Sequence, residues 1–332
     1  MNTFNVETNN LLRQIERDAK TTTCFLCGKK IDSPCNSHVV PRFILKEIAQ
    51  QGMVEYGQSL SRLSIQKTQT GINNAFTFFT LCRNCDQKFF SDYENPEALL
   101  NFDRLSYEEK KLILLEIGVK NHLSHIFTKR KIVCLQRKQI EQYQSQQILS
   151  PAKLDIIEHS KYIRKLKNYK NGSSFPFQIL FNKLLDYETQ LATQTIIDYV
   201  FDLNGKQLFN PYDLTSTFLS NYFYLAVLPY KWRTRVLFYI EKCNIYNVES
   251  LVKEFEKLND DEKLHFLFVS LLMYDEQFYV NPMLCNKMKQ NRKIMELYYQ
   301  TDRMPRNWDY CKKIKDYKKY TNYLSREFSV KE

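Results

Sequence analysis

Two Cys-x-x-Cys pairs constrain this chain more than any other feature of its sequence. The first pair is Cys24 and Cys27, the second is Cys82 and Cys85, and 54 residues separate the two pairs. A Cys-x-x-Cys turn places two sulfurs on one side of a tight bend, so two such turns can supply the four vertices of a zinc tetrahedron. The sequence therefore predicts a structural zinc site with four thiolate ligands.

A local set of ligands is the alternative to this site. Cys24, Cys27, Cys35 and His38 form a C-x2-C-x7-C-x2-H pattern, which could bind zinc through three thiolates and one imidazole. That arrangement would leave the second cysteine pair without partners, so we favour the four-thiolate site and expect Cys35 to be a free, packed thiol. The other cysteines occur singly in apolar patterns, which is typical of packed side chains: Cys134, Cys243, Cys285 and Cys311.

The composition favours helices. Among 332 residues there are only 7 glycines and 9 prolines, against 22 tyrosines and 23 phenylalanines, which argues against low-complexity, disordered and turn-dense β chains. Long apolar segments such as FPFQILFNKLLDYETQ and NYFYLAVLPYKWRTRVLFYI are interpreted as helices. We predict a mainly α (α+β) chain, with a zinc-bound module over residues 1–103 and a larger, all-helical domain over residues 104–332.

The ends and the apolar segments of the chain predict a cytoplasmic protein. The first twenty residues lack the apolar region of a secretory signal. The longest apolar stretches are shorter than the ~18–20 residues of a membrane span, so no membrane partner is expected. Cysteines in that compartment stay reduced, which favours metal binding over disulfides.

The charge is positive and unevenly distributed. The net charge is +11, and residues 120–170 contain 12 basic and 3 acidic side chains. Such stretches suit sequence-independent binding of a nucleic-acid backbone, although a solvated basic face has the same composition. The candidates for phosphate contacts are Arg42, Lys46, Lys129, Arg130, Lys131, Arg137 and Lys138.

Residues 22–95 contain the segments CFLC, SHVVP, FTFFTLC and CRNCDQKF in this order. The order resembles that of the HNH (ββα-metal) endonucleases, in particular a bacterial subgroup with Ser-His-x-x-Pro between two Cys-x-x-Cys pairs. The resemblance covers less than a third of the chain and implies a treble-clef scaffold bound to structural zinc. Outside it, the only further pattern is a Trp232-Arg233 pair after an apolar stretch.

The resemblance also implies an active site. His38 would be the general base that takes a proton from the attacking water. Asp86 stands where the family places the last ligand of a catalytic Mg or Mn ion, and Glu94 would support the site if one helix carried both carboxylates. Ser37 replaces the usual aspartate before the histidine, so that a hydroxyl would be the ligand of the Mg or Mn ion in place of a carboxylate, and Thr77 stands near the position of the family's middle asparagine. Both departures leave the ligand set of the catalytic ion open.

The function implied by the resemblance is cleavage of DNA phosphodiesters. The helical domain would then hold the substrate or a protein partner, and family analogy suggests an effector in a bacterial anti-phage defence system. A non-catalytic zinc-stabilised module that binds nucleic acid or protein is the alternative, and so is an RNase toxin with the same histidine. A second histidine pattern, His122-x-x-His125, has no third ligand nearby in sequence and is interpreted as a packed or solvent-facing pair.

Overall fold

The computed structural model describes residues 3–60, 69–143, 151–211, 220–275, 277–301 and 308–330. The chain is about 53% helical and 18% strand, which makes it a mixed α/β protein. The helices are α1 Thr3–Ala19, α2 Arg42–Ile48, α3 Arg83–Phe89, α4 Pro96–Leu100, α5 Tyr107–Tyr143, α6 Pro151–Lys170, α7 Glu249–Glu256, α8 Asp260–Tyr274, α9 Pro282–Gln290 and α10 Arg292–Thr301. The strands are β1 Ser37–His38, β2 Met53–Tyr56, β3 Gln69–Gly71, β4 Thr77–Phe78, β5 Phe177–Leu185, β6 Leu191–Ile197, β7 Phe223–Tyr230, β8 Arg233–Glu241 and β9 Tyr279–Val280. Within the part of the chain that the structure describes, no helix has the length and apolar character to span a membrane.

The chain divides into two compact units, each assembled from separate segments. Unit 1 consists of residues 1–39, 76–95 and 107–174, and unit 2 of residues 40–75, 96–106 and 175–332. Each unit therefore contains residues from both sides of the predicted boundary at residue 103. The short segments before residue 103 are distributed between the two units. A single boundary in the sequence therefore does not describe the two units.

Unit 1 is built on the long helix α5, which packs along α6. The two helices are antiparallel, because contacts along α5 run in the opposite sequence direction on α6. Lys111 Nζ donates to the carbonyl of Gly172 over 2.6 Å, and Lys129 pairs with Asp155 at 2.6 Å. The apolar residues of α5 between these pairs are buried, so the hairpin forms the core of unit 1.

Unit 2 contains a seven-stranded antiparallel sheet in the order β3-β2-β9-β6-β7-β8-β5. Five of its strands lie between residues 177 and 280, so the predicted all-helical domain over residues 104–332 is wrong. Every residue of β6 and nearly every residue of β7 and β8 is buried. The apolar runs of β7 and β8 lack the alternation of a half-buried strand, and periodicity does not distinguish such a run from a buried helix.

The sheet of unit 2 packs against helix α8, whose central residues are buried. A capping box starts this helix: the Asn259 side chain accepts from the amide of Glu262, and the Glu262 side chain accepts from the amide of Asn259. The ring of Phe266 stacks on Tyr199, with 5.5 Å between the centroids. This aromatic packing joins helix and sheet into one apolar core.

Candidate metal centre and neighbouring side chains

The first cysteine pair lies in a tight turn that the backbone of residues 24–29 closes. The Gly28 amide donates to the carbonyl of Cys24 over 2.8 Å, and the Cys24 amide donates to Lys29 over 2.9 Å. Gly28 has a φ of +71°, in the left-handed region that glycine adopts without steric cost. The turn is thus encoded locally, as the position of the glycine after Cys27 indicates.

The second cysteine pair begins helix α3. Cys82 is the N-cap residue, and its sulfur accepts a hydrogen bond from the amide of Cys85. The segment before it lies beside the first pair, because the Phe25 amide donates to Thr80 over 3.1 Å and the Cys35 amide to Leu81 over 2.7 Å. These backbone contacts bring two distant segments of the sequence together.

The four sulfurs of Cys24, Cys27, Cys82 and Cys85, called the cysteine cluster below, all lie within 4.8 Å of one another. The sulfurs of Cys27 and Cys82 are 3.9 Å apart. In a tetrahedral site with Zn–S bonds of about 2.3 Å, neighbouring sulfurs are ~3.8 Å apart, so the donor set and the spacing fit zinc. Among the described residues this is the only such group of three or more potential ligands, and it excludes Cys35 and His38.

The thiols of the cysteine cluster differ in their readiness to ionise. Burial raises the pKa of Cys24 and of Cys85. The backbone amide of Lys29 lowers the pKa of Cys27 to about 7. Zinc binds the thiolate form of cysteine, and burial disfavours this charged form. A cation at this cluster must therefore offset the free-energy cost of desolvating the buried thiolates.

Next to the cysteine cluster, Asp86 joins helix α3 to the segment that contains β1. The hydroxyl of Ser37 donates to Asp86 Oδ1 over 2.6 Å, and the thiol of Cys35 donates to Asp86 Oδ2 over 3.4 Å. Burial, with the Asp86 charge second, raises the pKa of Cys35 to about 11, so this thiol keeps its proton. Cys35 is packed as expected, but its contact with Asp86 was not predicted from the sequence. Residues two apart in an extended chain point to the same side, so the position of Cys35 two residues before Ser37 could have indicated this contact.

His38 lies on β1, directly after Ser37. Strand β1 pairs with β4 in antiparallel fashion, with His38 opposite Thr77 and Ser37 opposite Phe78. Strands β1 and β4 and helix α3 follow one another in the order ββα within unit 1. His38 is partly exposed, whereas Ser37 is only 1% exposed, so the histidine is the more accessible of the two.

Glu94 does not share a helix with Asp86. Helix α3 ends at Phe89, so the argument that one helix carries both carboxylates is wrong. The carboxylate of Glu94 instead forms an ion pair with Lys120 of α5, whose side chain is almost fully buried. The residues after Phe89 turn towards α5, because the Tyr93 amide also donates to Glu116 of that helix over 2.8 Å.

Two of the basic residues predicted on α5 hold unit 1 together. Arg130 donates to the carbonyls of Ala19 and Lys20 at the end of α1, over 2.6 and 3.1 Å, which satisfies acceptors that a helix terminus leaves open. The ammonium of Lys131 lies over the ring of Phe127, 5.4 Å from its centroid. Burial lowers the pKa of Lys131 and that of Arg130.

The other predicted phosphate contacts are closer to solvent. Besides the Lys129–Asp155 pair, Lys138 pairs with Asp18 at 3.3 Å, while Arg137 is exposed. In unit 2, Arg42 and Lys46 are both exposed on α2.

A second group of titratable side chains, called the histidine cluster below, lies between α5 and α6. It consists of His122 and His125 on α5 and His159 on α6. The Nδ1 atoms of His122 and His159 are 3.0 Å apart, and the rings of His125 and His159 have centroids 5.4 Å apart. Burial lowers the pKa of all three, that of His125 to about 3, so the cluster is neutral at pH 7. Of the two interpretations of the His122-x-x-His125 pair, packed or solvent-facing, the structure shows the packed one, and α6 adds the third ring.

No family model, curated protein or solved structure matches the chain. The resemblance to HNH endonucleases therefore depends on the residues themselves: the two cysteine pairs, the Ser37-His38 dipeptide and Asp86.

Proposed function

We propose that the chain is a metal-dependent endonuclease of the HNH type that cleaves DNA phosphodiesters. The observation that carries the proposal is the 2.6 Å hydrogen bond from Ser37 to Asp86. It joins the strand with His38 to a helix that begins at the cysteine cluster. A partly exposed imidazole and a carboxylate are thereby supported by the same small ββα arrangement.

The roles follow from the chemistry of these groups. His38 acts as the general base, since an imidazole titrates near neutral pH and can accept a proton from an attacking water. Asp86 supplies the hard oxygen ligand that Mg or Mn prefers. Such an ion, when bound, stabilises negative charge on the phosphate and the leaving oxygen. Ser37 orients the carboxylate, and zinc at the cysteine cluster stabilises the scaffold.

A plasmid-cleavage assay tests this proposal. Supercoiled DNA is incubated with zinc-loaded protein and Mg or Mn, and nicked and linear products are measured for wild type and His38→Ala. We expect the variant to be slower by about 10²–10⁴-fold, the usual contribution of a general base. His265→Ala is the matched control, because His265 contacts the Tyr320 carbonyl in unit 2 and should retain activity.

Two results would contradict the proposal: inactive wild type with a full zinc complement, or a His38→Ala variant that cuts as fast as wild type. RNA of the same length belongs in the assay, because general-base chemistry does not select the sugar. Cleavage of RNA alone would replace the DNA substrate by RNA and favour the toxin alternative.

A non-catalytic zinc module is the second candidate. It is favoured by the fact that both oxygens of Asp86 accept hydrogen bonds, from Ser37 and Cys35, as in a purely structural clamp. In that case Asp86→Asn lowers the melting temperature, whereas the wild type binds nucleic acid or protein without cleaving DNA or RNA.

A further inference from the structure

The turn between β7 and β8 is conformationally costly. The strands pair up to Tyr230 opposite Arg233, which leaves a two-residue loop of Lys231 and Trp232. Their φ angles are +49° and +65°, in the left-handed region that hairpin turns of this kind require. Asn-Gly is the usual choice there, and larger side chains raise the energy of the turn.

Three carboxylates of unit 2 hold this turn. The Lys231 amide donates to Glu47 and the Trp232 amide donates to Glu188, each over 3.2 Å. The Lys231 ammonium pairs with Glu97 at 3.0 Å. The two donors at the tip of the hairpin are thus satisfied by side chains, which fixes the loop in the left-handed conformation.

The turn presents Trp232 to solvent. Its side chain is 62% exposed, whereas the only other tryptophan of the chain, Trp308, packs against the core of unit 2. A tryptophan with most of its surface in solvent gains little burial energy, and glycine would lower the energy of its turn. Neither packing nor the turn therefore accounts for an indole at this position, and strained exposed residues of this kind occur at binding sites.

Exposed cations lie next to the indole in sequence and on the helix that contacts the hairpin. Helix α2 contacts the hairpin, since the Phe43 ring lies edge-to-face on Tyr230 with 5.4 Å between the centroids. Arg42 and Lys46 are about 100° and about 60° around α2 from Phe43, and both are exposed. Arg233, directly after the indole, is exposed as well. The three carboxylates that hold the turn are engaged by it, and burial raises the pKa of Glu188 to about 7. Asp186, which also interacts with Arg233, forms an ion pair with Arg326.

We infer that Trp232, together with Arg42, Lys46 and Arg233, forms a binding surface for single-stranded nucleic acid. An unpaired base stacks on the rigid indole, and the cations neutralise the adjacent phosphates. Duplex DNA keeps its bases stacked inside the helix and offers the indole no face, so the surface selects unpaired nucleotides. The inference rests on the proposed function only for the choice of a nucleic-acid partner and does not depend on cleavage at His38.

Tryptophan fluorescence tests the inference directly. The Trp308→Phe variant leaves Trp232 as the only indole, and the His38→Ala substitution is added so that cleavage plays no part. The protein is titrated with a 20-nucleotide oligo-dT, with a 20-base-pair duplex and with heparin. We expect the single strand to quench the emission, and the duplex and heparin to leave it nearly unchanged. If Trp308→Phe does not fold, the quenching of wild type and of the glycine variant below is compared.

Trp232→Gly separates a binding role from a structural one. Glycine suits the left-handed φ of this position, so the variant should keep or raise the melting temperature. Its affinity for oligo-dT, measured by anisotropy of a labelled strand, should fall by about 5–100-fold, the range for the loss of one stacked base. Tyr246→Ala is the matched control, because Tyr246 is an 88% exposed aromatic residue of the same unit.

Three outcomes would overturn the inference. The first is unchanged oligo-dT affinity in Trp232→Gly, and the second is equal quenching by heparin and by the single strand, which would indicate charge alone. The third is a dimeric wild type and a monomeric Trp232→Gly in sedimentation, which would make the hairpin a contact between two copies. Because binding is measured without cleavage, an inactive nuclease site does not affect these results.

Discussion

The cysteine cluster and the histidine cluster are both groups of potential metal ligands in unit 1, but they are built differently. The four sulfurs converge, with every pair within 4.8 Å. The three histidines pack as rings, and among the described residues they do not form a group of that kind. Convergence of donor atoms therefore distinguishes a metal site from residues that merely have the right chemistry.

Burial disfavours the charged form in both clusters, but the consequence differs. Thiols of the cysteine cluster must ionise to bind zinc, so burial there is tolerated only with a compensating cation. Burial keeps the histidine cluster neutral, and the 3.0 Å contact of two imidazole nitrogens requires at least one neutral ring. Unit 1 thus contains one cluster that could hold a cation and one that stays neutral.

The largest loss of stability is expected when a ligand of the cysteine cluster is removed. Cys82→Ser should lose bound zinc and most of the stability of unit 1, because the apparent binding free energy of structural zinc is about 10 kcal/mol or more. Zinc content by mass spectrometry and the melting temperature are the measurements. Cys35→Ser is the matched control and should retain zinc, whereas zinc loss in that variant alone would contradict the four-thiolate site.

A smaller loss of stability is expected at low pH, because of the histidine cluster. Burial holds the folded-state pKa below the unfolded value of about 6.5, so the unfolded chain binds more protons as the pH falls. Stability is full above pH 6.5 and is lost below it, by about 2 kcal/mol per histidine between pH 6.5 and 5. The urea midpoint of His159→Gln should therefore decrease less than that of wild type between pH 7.5 and 5.

Zinc release at low pH affects wild type and His159→Gln alike, so the difference between their urea midpoints reports the titration of the histidine. His265→Gln serves as the control, since His265 is only half-buried in unit 2 and should change the acid response less. Parallel losses in wild type and His159→Gln would show that the histidine cluster does not remain neutral on folding.

A further pH-dependent change in stability, of similar size, concerns Glu116, another buried titratable group of α5. Burial, assisted by Asp92, raises its pKa to about 9. The unfolded carboxyl loses its proton near pH 4.5 and the folded one does not, so wild-type stability falls as the pH rises from 4.5 towards 9. Glu116→Gln does not titrate and should be more stable by about 1–3 kcal/mol at pH 7.

The gain in Glu116→Gln should increase between pH 6 and 8.5 in urea titrations. Glu109→Gln, an exposed position on the same helix, should give no such trend. A pH-independent difference would mean that the Glu116 carboxyl is ionised in the folded protein.

Much of the metal centre was predictable, because its determinants are local in sequence. Each Cys-x-x-Cys pair forms its own turn, and Gly28 or the start of α3 completes it. The side chains around Asp86 were only partly predictable. Ser37 and Asp86 are 49 positions apart, and their contact depends on how residues 35–38 pack beside α3.

The role of the basic residues was also only partly predictable from the sequence. Residues 129–138 have the composition of a phosphate-binding stretch, yet Arg130, Lys131 and Lys138 contact groups of unit 1. The composition gives the number of charged side chains but does not reveal which of them contact other groups of the protein. Arg137 and the exposed residues of α2 remain as candidates for nucleic acid.

The sequence by itself determined the two cysteine turns, since each depends on neighbours within a few residues, and the abundance of apolar side chains, which follows from the composition. Only the tertiary structure decided that residues 177–185, 223–230 and 233–241 form strands rather than helices. The last two strands are buried on both faces of the sheet, which removes the alternation that marks a strand. The tertiary structure also decided that Trp232 stands at the tip of a hairpin. That position requires two strands to pair, two successive residues to adopt positive φ, and carboxylates from three other segments to hold them.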